Sequence, residues 1–392
     1  MRIGRVFLSL LALVIASSLL VSGATAQSTP VAEPVAPPLA PPDGVTAEAV
    51  FVEDATAGVA LYEANADERR SPASTTKLMT ALVIANNTAD WQELVTADPS
   101  DILTIEDGES MMGLLEGDVL TAEQMMYGIM LNSGNDGAHA MARHIGAKLL
   151  TQDGGSGDPV ERFVQEMNAT AANLGLQNSH FVNVAGLYDE NHYTTARDLA
   201  VIAAEAYSVP VIAQASSVPT YEFTTQGANP RSLLLTNTNK MLGQDGVIGG
   251  KTGTLMESGA CLVVIRKEAE NNLIVGVVLG SQIEFGEDQI QIPETDQRFN
   301  DMSMLLSGMS TEFRWIQPGD QDLPGLSQEL AVWDVQLGDD HAVVLPREGV
   351  QSLRYLLQLG PPAEPNAPVG TLLIFSGERV IAEKQVVQSG TG

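Results

Sequence analysis

The segment Ser74-Thr75-Thr76-Lys77 places a hydroxyl group and an amine three residues apart, at the start of a predicted helix. Side chains with this spacing are neighbours on one helical face. A serine hydroxyl becomes a nucleophile when an adjacent base takes its proton, and lysine can be that base if burial lowers its pKa. The apolar residues 78–85 would supply the burial, and N–H groups at the helix start could stabilise an oxyanion. Alone, the pattern also fits an N-cap serine followed by a solvated lysine.

Two further segments carry groups that such a reaction needs. Ser133-Gly134-Asn135 links two predicted helices, where a hydroxyl can relay a proton and an amide can hold a peptide group. Lys251-Thr252-Gly253 lies on a predicted strand, where lysine and threonine can bind a carboxylate and glycine lets a substrate approach. Each is weak alone, because Ser-Gly-Asn is also a common turn. Together, in a chain with only six lysines, they predict one serine acyl-transfer site.

The elements around these segments predict how they are positioned. Two short strands within 49–62 form a hairpin, and the middle of the chain is helical, with a capping-box pattern at Thr121 and Gln124 before a helix over 122–131. A closing helix is predicted over 296–316. Three strands are predicted later, at 246–254, 259–267 and 272–280. The early hairpin and the late strands imply one sheet assembled from both ends of a domain, with helices on its faces.

Composition divides the chain into four parts. Arg2 and Arg5 precede an apolar run and a small-residue cleavage site, which is the pattern of a secretory signal peptide. The next segment holds six of the 20 prolines and is expected to be an extended tether. The predicted parts are a signal peptide over 1–26, a proline-rich linker over 27–45, a catalytic domain over 46–316 and a C-terminal β-domain over 317–388.

Charge and residue usage exclude several kinds of partner. The formal net charge is −29, and removing a signal peptide with its two arginines makes it −31, so nucleic acid is not an expected partner. Cys261 is the only cysteine and lies in an apolar run, which predicts a buried side chain and rules out an intramolecular disulfide. The five histidines lack a metal-ligand spacing, so neither a metal nor another cofactor is expected.

The three motifs, in this order, resemble those of the penicillin-interacting serine enzymes. The surrounding residues are similar to the low-molecular-mass penicillin-binding proteins, the serine D-Ala-D-Ala carboxypeptidases of peptidase family S11. The resemblance covers roughly residues 49–306, and the C-terminal strands resemble the family's β-domain. It is carried by the segments Ser71–Thr80, Ser133–Asp136, Asn183–Leu187, Thr195–Asp198, Asn237–Asn239 and Gly250–Thr254.

The resemblance implies an α+β fold and a catalytic mechanism. The expected fold is a β-lactamase/transpeptidase-like domain, with an antiparallel five-stranded sheet, helices on both faces and an all-helical part, followed by a small β-sandwich-like domain. Ser74 would attack the peptide carbonyl between the two D-alanines while Lys77 takes its proton. Ser133 would pass a proton to the departing D-alanine.

The resemblance also implies a set of substrate-binding residues. The set is Asn135, Lys251, Thr252, Gly253, Thr254 and Arg298. Asn135 would hold the substrate amide, and Lys251 with Thr252 would bind the terminal carboxylate. Lys251 would also make Lys77 less basic by like-charge repulsion. The N–H groups of Ser74 and Thr254 would form the oxyanion hole.

The implied ligands are peptidoglycan pentapeptides and β-lactams, in the periplasm or cell envelope. Related enzymes often end in an amphipathic helix on the membrane, whereas this chain ends directly after its last strand, so membrane association stays open, as does the oligomeric state. The alternatives are a D,D-endopeptidase of cross-links, a class A-like β-lactamase and a non-catalytic envelope-binding protein. The β-lactamase would need an E-x-x-L-N glutamate, which the sequence lacks, and a binding protein has no reason to retain the full catalytic set.

Overall fold

The computed structural model describes residues 38–103, 109–268, 272–287, 289–319, 321–348 and 352–390. The predicted signal peptide and most of the predicted linker lie outside these residues. The described chain forms a larger mixed domain, whose two hydrophobic clusters lie on either face of one sheet, and a smaller β-domain with a third cluster.

The larger domain combines short strands with helices of up to 18 residues. Its strands are β1 (Ala49–Asp54), β2 (Val59–Ala64), β3 (Leu94–Thr96), β4 (Val119–Thr121), β5 (Thr220–Thr224), β6 (Ser232–Thr236), β7 (Val247–Leu255), β8 (Gly259–Lys267), β9 (Leu273–Ser281), β10 (Glu284–Phe285) and β11 (Gln291–Ile292). Its helices are α1 (Lys77–Asn86), α2 (Pro99–Leu103), α3 (Ala122–Leu131), α4 (Asn135–Gln152), α5 (Pro159–Asn173), α6 (Ala196–Ser208), α7 (Pro210–Ser217) and α8 (Arg298–Glu312). The smaller domain contains β12 (Phe313–Ile316), α9 (Leu326–Val332), β13 (Val335–Leu337), β14 (Val343–Pro346), β15 (Leu353–Leu359), β16 (Pro368–Ser376) and β17 (Arg379–Gln388).

A five-stranded antiparallel sheet lies at the centre, in the order β2-β1-β9-β8-β7. It is assembled from both ends of the domain, because the early hairpin pairs with the last of the three later strands. Strand β8 shows why these strands are apolar throughout. Its alternate residues Cys261 and Val263 pack into one cluster, whereas Leu262 and Val264 pack into the other. Cys261 is fully buried, as its apolar neighbours predict.

The first face of the sheet is covered by α1, α3, α4, α5, α6 and α7. Helix α1 lies inside this group, in contact with α3, α4, α5 and α6, which is why it is apolar on nearly all sides. Helix α3 begins at the predicted capping box: the Thr121 hydroxyl accepts from the Gln124 N–H, and the Gln124 side chain accepts from the Thr121 N–H. The end of α3 and the start of α4 are joined by the Ser133 link.

The other face is covered by α8, which differs from its prediction. The helix expected over 296–316 begins at Arg298 and ends at Glu312, and the chain continues as strand β12. Residues Phe313–Ile316 pair with Val343–Pro346 of β14, so their N–H and C=O groups are satisfied by a distant strand. The apolar residues of the segment suit either structure, and the partner strand decides between them.

The end of the predicted linker packs on the domain. The Leu39 N–H donates to the Leu61 carbonyl at 2.8 Å, and the Glu63 N–H donates to the Leu39 carbonyl at 2.9 Å, beside β2. Leu39 and Val45 also pack against the cluster below α8. The expectation of a free tether up to residue 45 is therefore wrong for residues 39–45, because these apolar side chains find a partner surface that proline content does not reveal.

The smaller domain has two antiparallel sheets around one core. The four-stranded sheet has the order β13-β17-β16-β15, and β12 with β14 forms the second sheet. Leu345 of the second sheet and Leu372 of the first share the same buried cluster. This is a sandwich-like arrangement, and the expected architecture of both domains is present. Helix α9, which covers part of this core through Leu326, is not predicted by the sequence analysis.

Among the described residues, no single helix is long and apolar enough to cross a membrane, although the bent pair α6 and α7 passes on length and composition together.

Candidate active site

Ser74 and Lys77 lie at the centre of the candidate site. Residues Ala73–Thr76 form one turn of 3₁₀ helix that leads directly into α1, and Ala73 has a φ of +47°. Ser74 is half-buried, whereas the Lys77 side chain is 0% exposed. The Nζ atom of Lys77 lies 2.9 Å from Ser74 Oγ and donates to the Ala185 carbonyl at 2.8 Å. The two groups that the sequence places on one helical face are thus in direct contact.

The Ala185 carbonyl is positioned by a tight loop. The side-chain oxygen of Asn183 accepts hydrogen bonds from the N–H groups of Ala185, Gly186 and Leu187, at 3.2, 2.7 and 3.1 Å. Gly186 has a φ of +87°, and a Cβ atom there would lie 1.9 Å from the Ala73 carbonyl oxygen. Only glycine satisfies both conditions. The loop therefore packs on the turn that carries Ser74 and aims one carbonyl at the Lys77 amine.

The two lysines have strongly altered basicity. Burial lowers the pKa of Lys77 to about 7, while the negative charges of Glu109 and Asp136 oppose that shift. Burial also lowers the pKa of Lys251 well below its usual range, and the positive charges of Lys77 and Arg298 lower it further. Burial is thus the main cause of the lowered pKa at both lysines. Near neutral pH, Lys77 can accept a proton.

Ser133 and Lys251 form a second hydroxyl–amine pair. Lys251 lies on β7 and is 1% exposed. Its Nζ donates to Ser133 Oγ at 2.9 Å and to the Thr252 carbonyl at 2.8 Å. Ser133 has a φ of +58°, in the left-handed region that is costly for a non-glycine residue. This backbone conformation, in the link between α3 and α4, directs the serine hydroxyl toward β7.

Asn135 and Asp136 begin α4, next to Ser133. Asp136 is fully buried, and its carboxylate accepts from the N–H groups of residues 112–114, each at 2.8 Å. These bonds fix the chain before β4 against the start of α4. Asn135 is 3% exposed, and its Nδ2 donates to Oε2 of Glu109. The amide of the second motif therefore already has a carboxylate partner.

Strand β7 passes directly over the turn that carries Ser74. A Cβ atom at Gly253 would lie 2.8 Å from the Ser74 nitrogen and 2.9 Å from the Thr75 nitrogen. These distances are shorter than an ordinary side chain tolerates, so the close approach of strand and turn requires glycine. The backbone of β7 is thereby held beside the N–H groups of the serine turn.

The side of the site formed by β7 is completed by Thr252, Thr254 and Arg298. The hydroxyl of Thr252 shares a 2.6 Å hydrogen bond with that of Thr238. Arg298 is 3% exposed and donates from Nη1 to the Gly253 carbonyl at 2.6 Å, from Nη2 to Thr254 Oγ1 at 2.6 Å, and from Nε to the Asp296 carboxylate at 2.8 Å. Each nitrogen of Arg298 therefore has an acceptor within the protein, and two of these acceptors belong to β7.

His192 supports the nucleophile turn in a way that the sequence did not indicate. Its Nε2 forms a 2.9 Å hydrogen bond with the Thr76 hydroxyl, and its Nδ1 accepts from the Val182 N–H at 3.2 Å. Burial lowers the pKa of His192 to about 4, so the ring is neutral at pH 7. Sequence spacing gives no signal for this role, because the contact joins residues 116 positions apart.

The sequence motifs do not point to Ala185 or Glu109 either. Ala185 acts through its backbone carbonyl, so its residue type carries no information, although the Asn-x-x-Gly pattern of residues 183–186 indicates a turn. Glu109 lies outside the three motifs, and its hydrogen bond with Asn135 joins residues that are 26 positions apart in the sequence.

All of the expected site residues surround one region between α1, the α3–α4 link and β7. It contains a serine in contact with a buried amine, a second buried amine on another hydroxyl, and a strand edge beside the N–H groups of the serine turn. Within the part of the chain that the structure describes, no group of three or more His, Cys, Asp or Glu side chains could hold a metal ion. The fold and site together define a serine acyl-transfer enzyme of the penicillin-interacting class.

Comparisons with known proteins agree with this class. The model of the peptidase S11 family, described as D-alanyl-D-alanine carboxypeptidase, matches residues 36–282. D-alanyl-D-alanine carboxypeptidase DacA of Escherichia coli is 31% identical over 360 residues, which cover 88% of this chain and 83% of that protein. DacF of Bacillus subtilis is 36% identical over 238 residues, and that match spans 59% of this chain and 57% of the relative. The chain belongs to the peptidase S11 family of D-alanyl-D-alanine carboxypeptidases, which are serine hydrolases.

Solved structures show the same fold. The Streptomyces K15 DD-transpeptidase superposes with a TM-score of 0.59 at 30% identity, covering 68% of this chain and 97% of that one. Penicillin binding protein 5 from Haemophilus influenzae gives a TM-score of 0.65 and covers 89% of this chain and 98% of that one; at 22% identity it bears on the fold alone. These findings confirm the family resemblance and the two-domain fold class, and they do not favour the β-lactamase or the non-catalytic alternative.

Proposed function

We propose that this protein is a D-Ala-D-Ala carboxypeptidase that removes the terminal D-alanine from peptidoglycan stem peptides through a Ser74 acyl-enzyme. The observation that carries the proposal is the buried Lys77 amine, whose pKa is about 7, in hydrogen-bond contact with the Ser74 hydroxyl. A neutral amine at this position takes the hydroxyl proton as Ser74 Oγ bonds to the substrate carbonyl carbon.

In this mechanism the developing oxyanion lies between the N–H groups of Ser74 and Thr254. The tight packing of Gly253 against the serine turn supports this arrangement, since it holds the two backbone segments together. When the peptide bond breaks, Ser133 passes a proton to the amine of the departing D-alanine. Water then hydrolyses the ester at Ser74 and regenerates the hydroxyl.

Lys251 and Thr252 bind the terminal carboxylate of the substrate. The free protein holds Lys251 with a pKa well below its usual range because it is buried beside other positive charges. An arriving carboxylate supplies the opposite charge, which raises the pKa of Lys251 and favours its protonated form. Arg298 positions β7 through hydrogen bonds to the Gly253 carbonyl and the Thr254 hydroxyl. Asn135 holds the peptide group on the acyl side of the scissile bond.

The packing at Gly253 gives a direct test of the oxyanion site. Gly253→Ala is expected to lower kcat/KM for D-alanine release about 100-fold, because the new Cβ separates β7 from the Ser74 turn. Steady-state kinetics with a soluble pentapeptide measure this loss. Gly155→Ala is the matched control, since its Cβ would meet nothing closer than 3.9 Å and its φ is not positive. Equal kinetics for both variants would contradict the proposed position of the strand.

The function itself is tested by three rates measured on one preparation. These are D-alanine release from a pentapeptide, cleavage of a cross-linked peptide dimer, and turnover of benzylpenicillin. We expect rapid D-alanine release, and slow penicillin turnover after stoichiometric labelling, because a β-lactam mimics D-Ala-D-Ala and leaves Ser74 slowly. Faster cleavage of the dimer would indicate an endopeptidase, and rapid turnover of penicillin would indicate a β-lactamase.

The site of action is proposed to be the periplasm or cell envelope, reached through a signal peptide over residues 1–26. The charged, apolar and small-residue parts of that segment support this. Fractionation of cells that express the full chain should place the protein outside the cytoplasm, with a new N-terminus at Gln27. The same chain without residues 2–26 should stay in the cytoplasm. An unprocessed N-terminus in the exported protein would contradict cleavage.

A further inference from the structure

Glu109 contacts the amide that the proposed mechanism assigns to the substrate. Its Oε2 accepts a hydrogen bond from Nδ2 of Asn135. A carboxylate can only accept, so this contact fixes which end of the asparagine amide carries the NH₂ group. The Oδ1 end of Asn135 is buried and has no hydrogen-bond partner among the residues that the structure describes. That oxygen is left to accept an N–H group of a bound peptide, while Glu109 stays on the other end of the amide.

The carboxylate of Glu109 is more exposed than that of the nearby Asp136. Asp136 is fully buried and surrounded by backbone N–H donors, so no ligand can reach its carboxylate. Glu109 is only half-buried. Its negative charge raises the pKa of Lys77 and of His139, against the effect of burial at both, so it acts on the interior of the site. Glu109 is thus a partly exposed carboxylate at the edge of the region that contains the Lys77 and Lys251 amines.

The proposed binding mode sets which part of a substrate this charge would meet. Lys251 and Thr252 hold the terminal carboxylate, on the leaving-group side of the scissile bond. Asn135 holds the peptide group on the acyl side, and Glu109 is bonded to that amide. In this binding mode, a carboxylate beside that amide would face the residue that precedes the two D-alanines. An ammonium group on that residue is the complementary chemistry.

We propose that Glu109 is a specificity-determining residue that selects stem peptides carrying a free amino group on the residue before D-Ala-D-Ala. This inference rests on the proposed carboxypeptidase function. The competing explanation is that Glu109 only orients Asn135. Glu109→Gln separates the two, because glutamine keeps a side-chain oxygen that can accept from Asn135 Nδ2 but carries no charge. A purely orienting role therefore survives in this variant, whereas recognition of an ammonium group does not.

The experiment compares two soluble peptides ending in Lys-D-Ala-D-Ala, one with a free lysine amine and one with that amine acetylated. Wild type is expected to favour the free amine by about fivefold or more in kcat/KM, mainly through KM, and the preference should fall as salt is added. Glu109→Gln should treat the two peptides alike within about twofold. The readout is the ratio of the two kcat/KM values, because loss of the Glu109 charge also lowers the pKa of Lys77 and so changes the rate on both peptides. Glu116→Gln removes an exposed charge from the loop that precedes β4. This control variant should keep the full preference for the free amine.

The outcomes separate this inference from the proposed function. A preference of equal size in wild type and Glu109→Gln, or no preference in wild type, would overturn the role of Glu109 while D-alanine release still supports the carboxypeptidase. Loss of turnover of both peptides in Glu109→Gln would assign Glu109 to orientation or catalysis and would also overturn the inference. If wild type released D-alanine from neither peptide, the proposed function would fail first, and the inference with it.

Discussion

Ser74→Ala should lose at least about 10⁴-fold in kcat/KM for D-alanine release, because the proposed mechanism has no other group that can form the acyl-enzyme. The same change should abolish covalent labelling by a fluorescent penicillin. Ser74 is half-buried, and among the residues that the structure describes its hydroxyl hydrogen-bonds with Lys77 and, at 3.5 Å, with the Ala185 carbonyl. Its removal therefore leaves no cavity of consequence, and the melting temperature should stay close to that of wild type.

Labelling gives the clearest measurement of this effect, since an ester at Ser74 survives denaturation and electrophoresis. Ser208→Ala, at the exposed C-terminal end of α6, is the matched control and should label and turn over as wild type does. A denaturation-stable label on Ser74→Ala, located by mass spectrometry at another residue, would contradict the assignment of the nucleophile. A folded Ser74→Ala protein with normal D-alanine release would contradict the whole mechanism.

The extent to which the sequence predicts the site depends on how local each relation is. Ser74 and Lys77 are one helical turn apart, so their proximity follows from local geometry. Ser133 and Lys251 are 118 residues apart, and only the family resemblance paired them in advance. The Ala185 carbonyl and Glu109 were not predicted, because a backbone group has no residue-type signal and a single glutamate is common on any acidic surface.

In the fold, too, local features were predicted and features that depend on distant partners were not. Periodicity and turn residues predicted the central strands to within about a residue or two at each end, and the capping box of α3 was correct. The errors occur where a distant partner decides the structure. Phe313–Ile316 extends as a strand because β14 is available to pair with it, and residues 39–45 are held by β2 and α8. Neither partner can be inferred from the segment itself, because apolar content alone fits several conformations.

The Lys77 pKa of about 7 predicts the pH dependence of acylation. The base must be neutral to take the Ser74 proton, and burial lowers the pKa from the usual lysine range, so the neutral fraction grows as pH rises through about 7. Below that value, kcat/KM should fall about tenfold for each pH unit and level off above it. Stopped-flow measurement of acylation by a chromogenic cephalosporin between pH 5 and pH 9 gives this pH dependence without interference from deacylation.

Substitution of Lys77 distinguishes a base from a merely structural lysine. Lys77→Met fills the buried space without an amine, and Lys77→Arg keeps a permanent positive charge. Both changes should lower the acylation rate about 10³-fold or more. The increase of the rate with pH near pH 7 should also disappear from the activity that remains. Lys267→Met, at the exposed end of β8, should leave both rate and profile unchanged. If Lys77→Arg, with a group that cannot lose its proton, kept the wild-type rate and pH profile, a neutral amine would not be required and another group would have to accept the serine proton.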